Sequence, residues 1–222
     1  MSKLSQSEEN YLKAIWKLVG HSDEQVTTNA IAALVNTRAA SVTDMLKKLS
    51  DKKLILYKPY RGVKLSVKGM TVAAQVVRKH RLWEVFLVKE LGYKWDEVHE
   101  IAEQLEHISS ETLTDRLDQF LGYPKTDPHG DAIPDRSGRV RDSHAVQLAT
   151  FRVNEKGIMT GVADDNPKFL HFLDDHQLNL GCAIAIHNIN EYDRSMEIVV
   201  HRKKLVISEM IAINILVKKN HA

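Results

Sequence analysis

Cysteine is nearly absent from this chain: Cys182 stands alone among 222 residues. No disulfide framework can form within one molecule, and a reducing compartment is expected, with the cytoplasm as the default. Long apolar runs are missing too. The longest, from Val206 to Val217, is broken by Ser208, Glu209 and Asn214, so no membrane span is expected and no membrane partner. The first ten residues, MSKLSQSEEN, lack the apolar stretch of a signal peptide. What is present is ordinary for a soluble globular protein, with 43% hydrophobic and 27% charged residues. The length allows two or three small domains, each with its own core.

Excess charge of one sign is also missing, but the net +2 hides an asymmetry. Residues 1–79 hold 14 Lys and Arg against 6 Asp and Glu, a balance of +8; residues 80–222 hold 17 against 23, a balance of −6. A basic front end on an acidic body suggests that the first part meets a polyanion, most commonly nucleic acid.

The pattern along that basic part specifies how. Ser5 or Ser7 can cap a helix whose first turn holds Glu8 and Glu9, and Tyr11, Leu12, Ile15, Trp16 and Val19 recur at helical spacing until Gly20. Thr27 or Thr28 starts a short second helix. The turn Asn36-Thr37-Arg38 leads to a third, with Val42, Met45, Leu46 and Leu49 inside. Alternating residues on both sides of Pro59–Gly62 then read as a two-stranded wing. Helix, tight turn, helix and hairpin is the element order of a winged helix-turn-helix DNA-binding domain.

Ser66 caps a long helix reaching about Leu91, and a ligand-rich segment follows, WDEVHEIAEQLEHIS at 95–109. Read as one helix, it puts His99, Glu103, Glu106 and His107 on one stripe, opposite Val98, Ile101, Ala102, Leu105 and Ile108. Two carboxylates and two imidazoles facing one way call for a divalent cation; the alternative is a solvated acidic face. A third helix is expected over Thr112–Leu121, then a loop over 122–145 holding Asp127, His129 and Asp131. From Val146 onward VQLATFRV, GCAIAIHNI, MEIVVHRKKLVI and IAINILV alternate with period two, which predicts a small β-barrel or sandwich with a short helix at Phe169–Asp174.

With these parts placed, the whole chain resembles the diphtheria toxin repressor family of metal-dependent transcriptional regulators, and most of all its three-domain, manganese-responsive members. The resemblance rests on ENYLKAI at 9–15, RKHRLWEVFL at 78–87, HEIAEQLEH at 99–107 and YPKTDPHGDAIP at 123–134. It implies an α+β protein of three parts: a winged helix-turn-helix domain over 1–75, a helical dimerisation and metal-binding domain over 76–143, and an SH3-like β-barrel domain over 144–222. It further implies a homodimer that represses transcription by binding double-stranded, palindromic operator DNA when loaded with Mn(II) or Fe(II), and so controls metal homeostasis.

Carried over residue by residue, the resemblance gives a primary metal site of Asn10, Glu103, Glu106 and His107. Manganese-type members have Asp at the position of Asn10 and iron-type members Met; the iron-type cysteine falls on Glu103. The resulting oxygen-rich set favours Mn(II), with Fe(II) as the alternative. A second site would draw His80, Glu84, His99, Asp127, His129 and Asp164, with Asp165 a close rival to Asp164. Lys13 stands where two-domain manganese regulators have a Glu ligand, which argues against a binuclear site of their kind. On the DNA side, Thr37, Arg38, Ser41, Thr43, Asp44 and Lys47 are expected on the third helix, and Lys58, Arg61 and Lys64, with Tyr60, on the wing. Two other readings compete: a regulator whose metal is purely structural and whose DNA binding ignores it, and, more remotely, a metal-dependent hydrolase.

Overall fold

The computed structural model describes residues 4–19, 25–58, 61–141 and 144–219. Gly20, Pro59 and Tyr60 lie outside the described residues. By contacts the chain divides into two compact units, one of residues 1–83, 103–116 and 133–140, the other of residues 84–102, 117–132 and 141–222.

The first unit begins with α1 (Gln6–Val19). Ser5 Oγ accepts from the Glu8 backbone N–H while the Ser5 N–H donates to Glu8 Oε2, so two orphan donors of the helix start are satisfied reciprocally. α2 (Thr28–Leu34) is capped by Thr27, whose hydroxyl accepts from the Ala30 N–H. α3 (Ala39–Asp51) follows the turn in which Asn36 takes a positive φ of 47°. β1 (Ile55–Lys58) and β2 (Gly62–Leu65) pair antiparallel as the wing, and Val63 also bridges to Val26. Leu12, Ile15, Ile31, Val42, Leu46, Leu49 and Val63 are fully buried in one core, the inner faces that the helical and alternating patterns define. Glu8 is buried beneath it, 2.6 Å from Lys52 and 3.2 Å from Lys48. Burial pushes its carboxyl up, but Lys52, the Ser5 N–H and Lys48 outweigh that and hold it at about 2.

α4 (Val67–Leu91) starts where Ser66 Oγ accepts the Gly69 N–H. The ligand-rich helix is shorter than its pattern predicts. α5 covers only His99–Leu105; residues 95–97 form a turn before it, and Glu106 and His107 lie on the turn after it. The Ile108 N–H bonds back three residues to the Leu105 carbonyl, and Ser110 then caps α6 (Glu111–Phe120) by accepting from Leu113. Two successive caps leave no room for another helical turn. The division between the units runs through α4 and α5.

The second unit contains a six-stranded antiparallel sheet. Its strands are β3 (Val146–Gln147), β4 (Lys156–Val162), β5 (Ala183–Ile189), β6 (Met196–Val200), β7 (Lys203–Ile207) and β8 (Ile215–Lys219), in the order β3-β8-β4-β5-β6-β7. α7 (Pro167–Asp175) and α8 (Glu209–Asn214) complete it. Three expectations need correction. VQLATFRV supplies only two strand residues before a 3-10 turn at Leu148–Thr150. None of the alternating segments covers β4. The first half of IAINILV is α8, because Ser208 accepts the Ile211 N–H and starts a helix there. Leu148, Met159, Leu170, Leu173, Ile198, Ile215 and Val217 are fully buried in the core of this domain.

One loop of this unit is tied to β4. Thr126 bridges to Ala132, and the Val162 N–H donates to the His129 carbonyl at 2.9 Å. Gly130, at φ +90°, lies so close to β4 that a Cβ there would sit 2.1 Å from the Thr160 carbonyl oxygen. Gly130→Ala therefore faces both a backbone conformation and a clash that alanine cannot accept, with about 1–3 kcal/mol lost to the backbone alone. Calorimetry on the metal-free protein is expected to show a lowered midpoint; an unchanged midpoint would mean that the loop is not held by this contact.

Candidate metal centres and DNA-binding face

The first unit gathers a polar cluster from α1, α4, the end of α5 and the turn after it. Glu9 and Lys13 are one turn apart on α1, with Asn10 beside them. Lys13, buried, donates from Nζ to Glu103 and to Glu106 Oε2, the latter at 2.7 Å. Glu106 is wholly buried, and its Oε2 also lies 2.6 Å from His80 Nδ1. His107 Nδ1 is 2.6 Å from Glu9 Oε2, while its Nε2 lies 3.8 Å from Glu106 Oε1. An imidazole held by a carboxylate on one nitrogen and facing a carboxylate with the other is oriented as a metal-binding histidine is. Lys79 is nearby: burial lowers its ammonium, with Glu9 and Glu106 opposing.

Among the described residues, His80, Glu103 and Glu106 bring one ligand atom each within 4.8 Å of one another. Asn10 Oδ1 and Glu106 Oε1 are buried oxygens that accept no hydrogen bond, although the Lys13 ammonium lies 2.7 Å from the latter. Buried oxygen lone pairs without a donor are costly, and a cation is what such atoms can serve. Carboxylate and amide oxygens with imidazole nitrogen form a set suited to Mn(II) or Fe(II). The residues present fit such an ion.

The second unit holds another group: Glu84, Asp127 and His129, all buried, with ligand atoms within 4.8 Å of one another. His129 Nε2 is 2.9 Å from the Trp95 carbonyl, and its Nδ1 is 3.8 Å from Glu84 Oε2. Asp127 Oδ1 accepts the backbone N–H groups of His129 and Asp131, which folds the loop around it. Burial favours the neutral His129 ring, but Glu84 and Asp127 outweigh it and raise its pKa to about 9. Without metal the imidazole is therefore protonated at neutral pH and pairs with Glu84; a cation binding there must displace that proton.

His99 Nδ1 lies 3.7 Å from Glu84 Oε1 and 3.5 Å from Asp165 Oδ2. Asp164 Oδ1 accepts the Asn166 N–H ahead of α7, while its rival Asp165 reaches His99. His80, grouped with Glu84 by spacing, also reaches Glu106.

On the DNA side, Thr37, Arg38 and Ser41 are exposed and, with Ala32, Ala33 and Asn36, line a shallow depression at the start of α3. Arg38 occupies the N-cap position without a side-chain cap bond. Thr43 donates its hydroxyl to the Ala39 carbonyl, and Asp44 pairs with Lys47 at 3.3 Å on an exposed surface. Lys58 and Arg61 are exposed on the wing; Lys64 is half-buried.

Comparison with known proteins agrees with this geometry. Residues 3–63 match the model of the iron-dependent repressor N-terminal DNA-binding domain, residues 66–135 that of its metal-binding and dimerisation domain, and residues 146–219 the FeoA domain. An uncharacterized HTH-type transcriptional regulator of Methanocaldococcus jannaschii is 35% identical over 118 residues, 53% of this chain and 94% of that protein. A solved manganese-dependent transcriptional repressor in complex with manganese is 32% identical, covers 96% of this chain and 100% of its own, and superposes with a TM-score of 0.89. The chain belongs to the diphtheria toxin repressor family. It is a DNA-binding, metal-dependent transcriptional repressor and not an enzyme.

Other relatives in the family differ in metal. The iron-dependent repressor IdeR of Mycobacterium tuberculosis is 35% identical over 60% of this chain and 58% of its own length. A structure of ScaR with bound Cd2+ is 34% identical, covers 96% of this chain and 99% of its own, and has a TM-score of 0.81. For a member of this family the C-terminal sheet is the SH3-like FeoA domain. Three groups in its clusters escaped sequence reading: Glu9 as the holder of His107, Lys13 as the partner of both glutamates, and the Trp95 carbonyl behind His129. The first two had a visible signal, since Glu9, Asn10 and Lys13 form a polar stripe on a helix whose other inward positions, Glu8 apart, are apolar.

Proposed function

We propose that this repressor is a cytoplasmic homodimer that binds a palindromic operator when Mn(II), or alternatively Fe(II), is held by the cluster around Glu106. The carrying observation is that cluster: Glu103, Glu106 and His80 converge, an oriented His107 faces Glu106, and Asn10 Oδ1 on α1 is buried without a donor. Asn10, Glu103, Glu106 and His107 would hold the ion, with His80 beside them; Glu84, His99, Asp127, His129 and Asp165 would form the second site. When bound, a divalent cation supplies the positive charge that lets the two glutamates and the amide oxygen face one point. Asn10 then secures α1 to the Glu103–His107 segment and limits how the DNA-binding helices can move. Activation extends only as far as that arrangement is better formed in the DNA-competent state.

Within the winged domain, residues 1–75, Thr37, Arg38 and Ser41 are best exposed to read base edges, and Lys47, Lys58 and Arg61 to meet phosphates. Exposed Leu91 and Phe120 support an apolar dimer face within residues 76–143. A second reading has support of its own: Lys13 already joins α1 to Glu103 and Glu106, which favours a metal-independent DNA-competent state. Fluorescence anisotropy with a palindromic fragment separates the two, titrating Mn(II), anaerobic Fe(II) and Zn(II) after chelator treatment. A steep gain with one metal is the expected result. Equal, tight binding in chelator would establish the metal-independent reading.

A further inference from the structure

We propose that Lys13 is a built-in cation that competes with the activating metal for Glu103 and Glu106 and thereby sets the metal concentration at which the repressor responds. The inference rests on the assignment of those glutamates as ligands. Its basis is the position of one buried ammonium. Lys13 is buried, its Nζ donates to both carboxylates, and it is 2.7 Å from Glu106, which has no solvent exposure at all. An ammonium in that position satisfies part of what a divalent ion would satisfy, with one charge instead of two and with hydrogen bonds instead of coordination. The satisfaction is incomplete, since Asn10 Oδ1 still accepts no hydrogen bond.

Two cations cannot share the space between the same carboxylate oxygens. For an ion to take Glu103 and Glu106 together, Nζ must give up at least one of its bonds and find another place for its charge, with Glu9 one turn away on α1. Each metal-binding event therefore carries the cost of breaking a buried ion pair, and affinity is lower than the ligand set alone would give. The same bond has a second effect. It holds α1 against the Glu103–Glu106 segment in the absence of metal, so the two glutamates do not simply repel and open the site. A glutamate at this position would reverse both effects.

The test is Mn(II) alone, titrated into full-length protein with free Mn(II) read by electron paramagnetic resonance. His129→Ala is present throughout so that the second cluster does not contribute. Lys13→Met and Lys13→Gln are expected to bind Mn(II) about tenfold more tightly or better, ~1.4 kcal/mol per tenfold, and Lys13→Arg to stay near the parent. The metal-free melting temperature of Lys13→Met and Lys13→Gln should fall, and its rise on adding Mn(II) should exceed the parent's. Unchanged or weaker Mn(II) binding in Lys13→Met and Lys13→Gln, alongside lost binding in Glu106→Gln, overturns the role of Lys13 and leaves the ligand assignment standing. Mn(II) binding that survives Glu106→Gln overturns the assignment itself. If Lys13→Met and Lys13→Gln are unfolded without metal, refolding by Mn(II), seen by circular dichroism, supports the exchange of one cation for another. Failure to fold with Mn(II) overturns it, because the ammonium would then be irreplaceable by an ion.

Discussion

Glu106→Ala is expected to abolish metal-activated operator binding and, unlike Glu103→Ala, to lower stability sharply even without metal. The difference follows from burial. The Glu106 side chain has 0% exposure, whereas that of Glu103 has 33%. Removing Glu106 leaves the Lys13 ammonium and the His80 ring in a buried site with their shared acceptor gone. Deleting one partner of a buried pair costs about 3–5 kcal/mol, because the remaining charge stays desolvated. At Glu103, water can reach the gap and Lys13 keeps Glu106, so the stability loss should be a fraction of that. Both variants lose a carboxylate ligand, and Mn(II) affinity should drop by at least about a hundredfold in each if the ion uses both. His107→Ala provides the contrast: its Glu9 partner is only partly buried, with 16% exposure, and can rehydrate, so the fold should persist while metal activation fails. Thermal unfolding in chelator, paired with anisotropy in Mn(II), reads both quantities. Undiminished activation in Glu103→Ala and His107→Ala would show that the cluster is a structural ion-pair network and not the sensor.

How much of this could be read from the sequence depended on how local the cause was. The winged helix was legible because each part carries its own signal: a Ser5–Glu8 capping box, Thr27 ahead of α2, a turn that tolerates Asn36 at positive φ, and alternation across the wing. The end of α5 was not, because Glu106 and His107 continue the 3.6-residue pattern and only the backbone bond from Ile108 to Leu105 breaks it. β4 was hidden by its glycines. Gly157 packs against the Phe151 ring and Gly161 against the His129 carbonyl, so residues that lower strand propensity are there to admit neighbours from elsewhere in the chain. His80 shows the same limit at the site. Its i, i+4 spacing to Glu84 is visible in the sequence, but its bond to Glu106, 26 residues away in sequence, is not. Asp164 and Asp165 are chemically identical neighbours, and only the Asx bond to Asn166 shows which one is occupied at the helix start.

Arg38→Ala is expected to weaken operator binding at every metal concentration, including saturation, and to leave metal affinity unchanged. Arg38 is exposed at the N-cap position of α3, with no cap bond to hold its side chain and Thr37 and Ser41 beside it on the same depression. A helix start aimed at the groove combines the guanidinium with the positive end of the helix dipole, which suits either a guanine edge or a phosphate. Loss of a specific contact of this kind costs about 1–3 kcal/mol, roughly a five- to 150-fold weaker complex. Nothing buried depends on this side chain, so the melting temperature should not move, and a binding defect can be assigned to the interface and not to the fold. The salt dependence then distinguishes the contact. A loss confined to the cognate operator with an unchanged salt slope identifies a base contact; an equal loss on unrelated DNA, with the slope reduced by about one, identifies a phosphate contact. Unchanged affinity on both duplexes would take Arg38 out of the interface and shift the reading of sequence to Thr37 and Ser41.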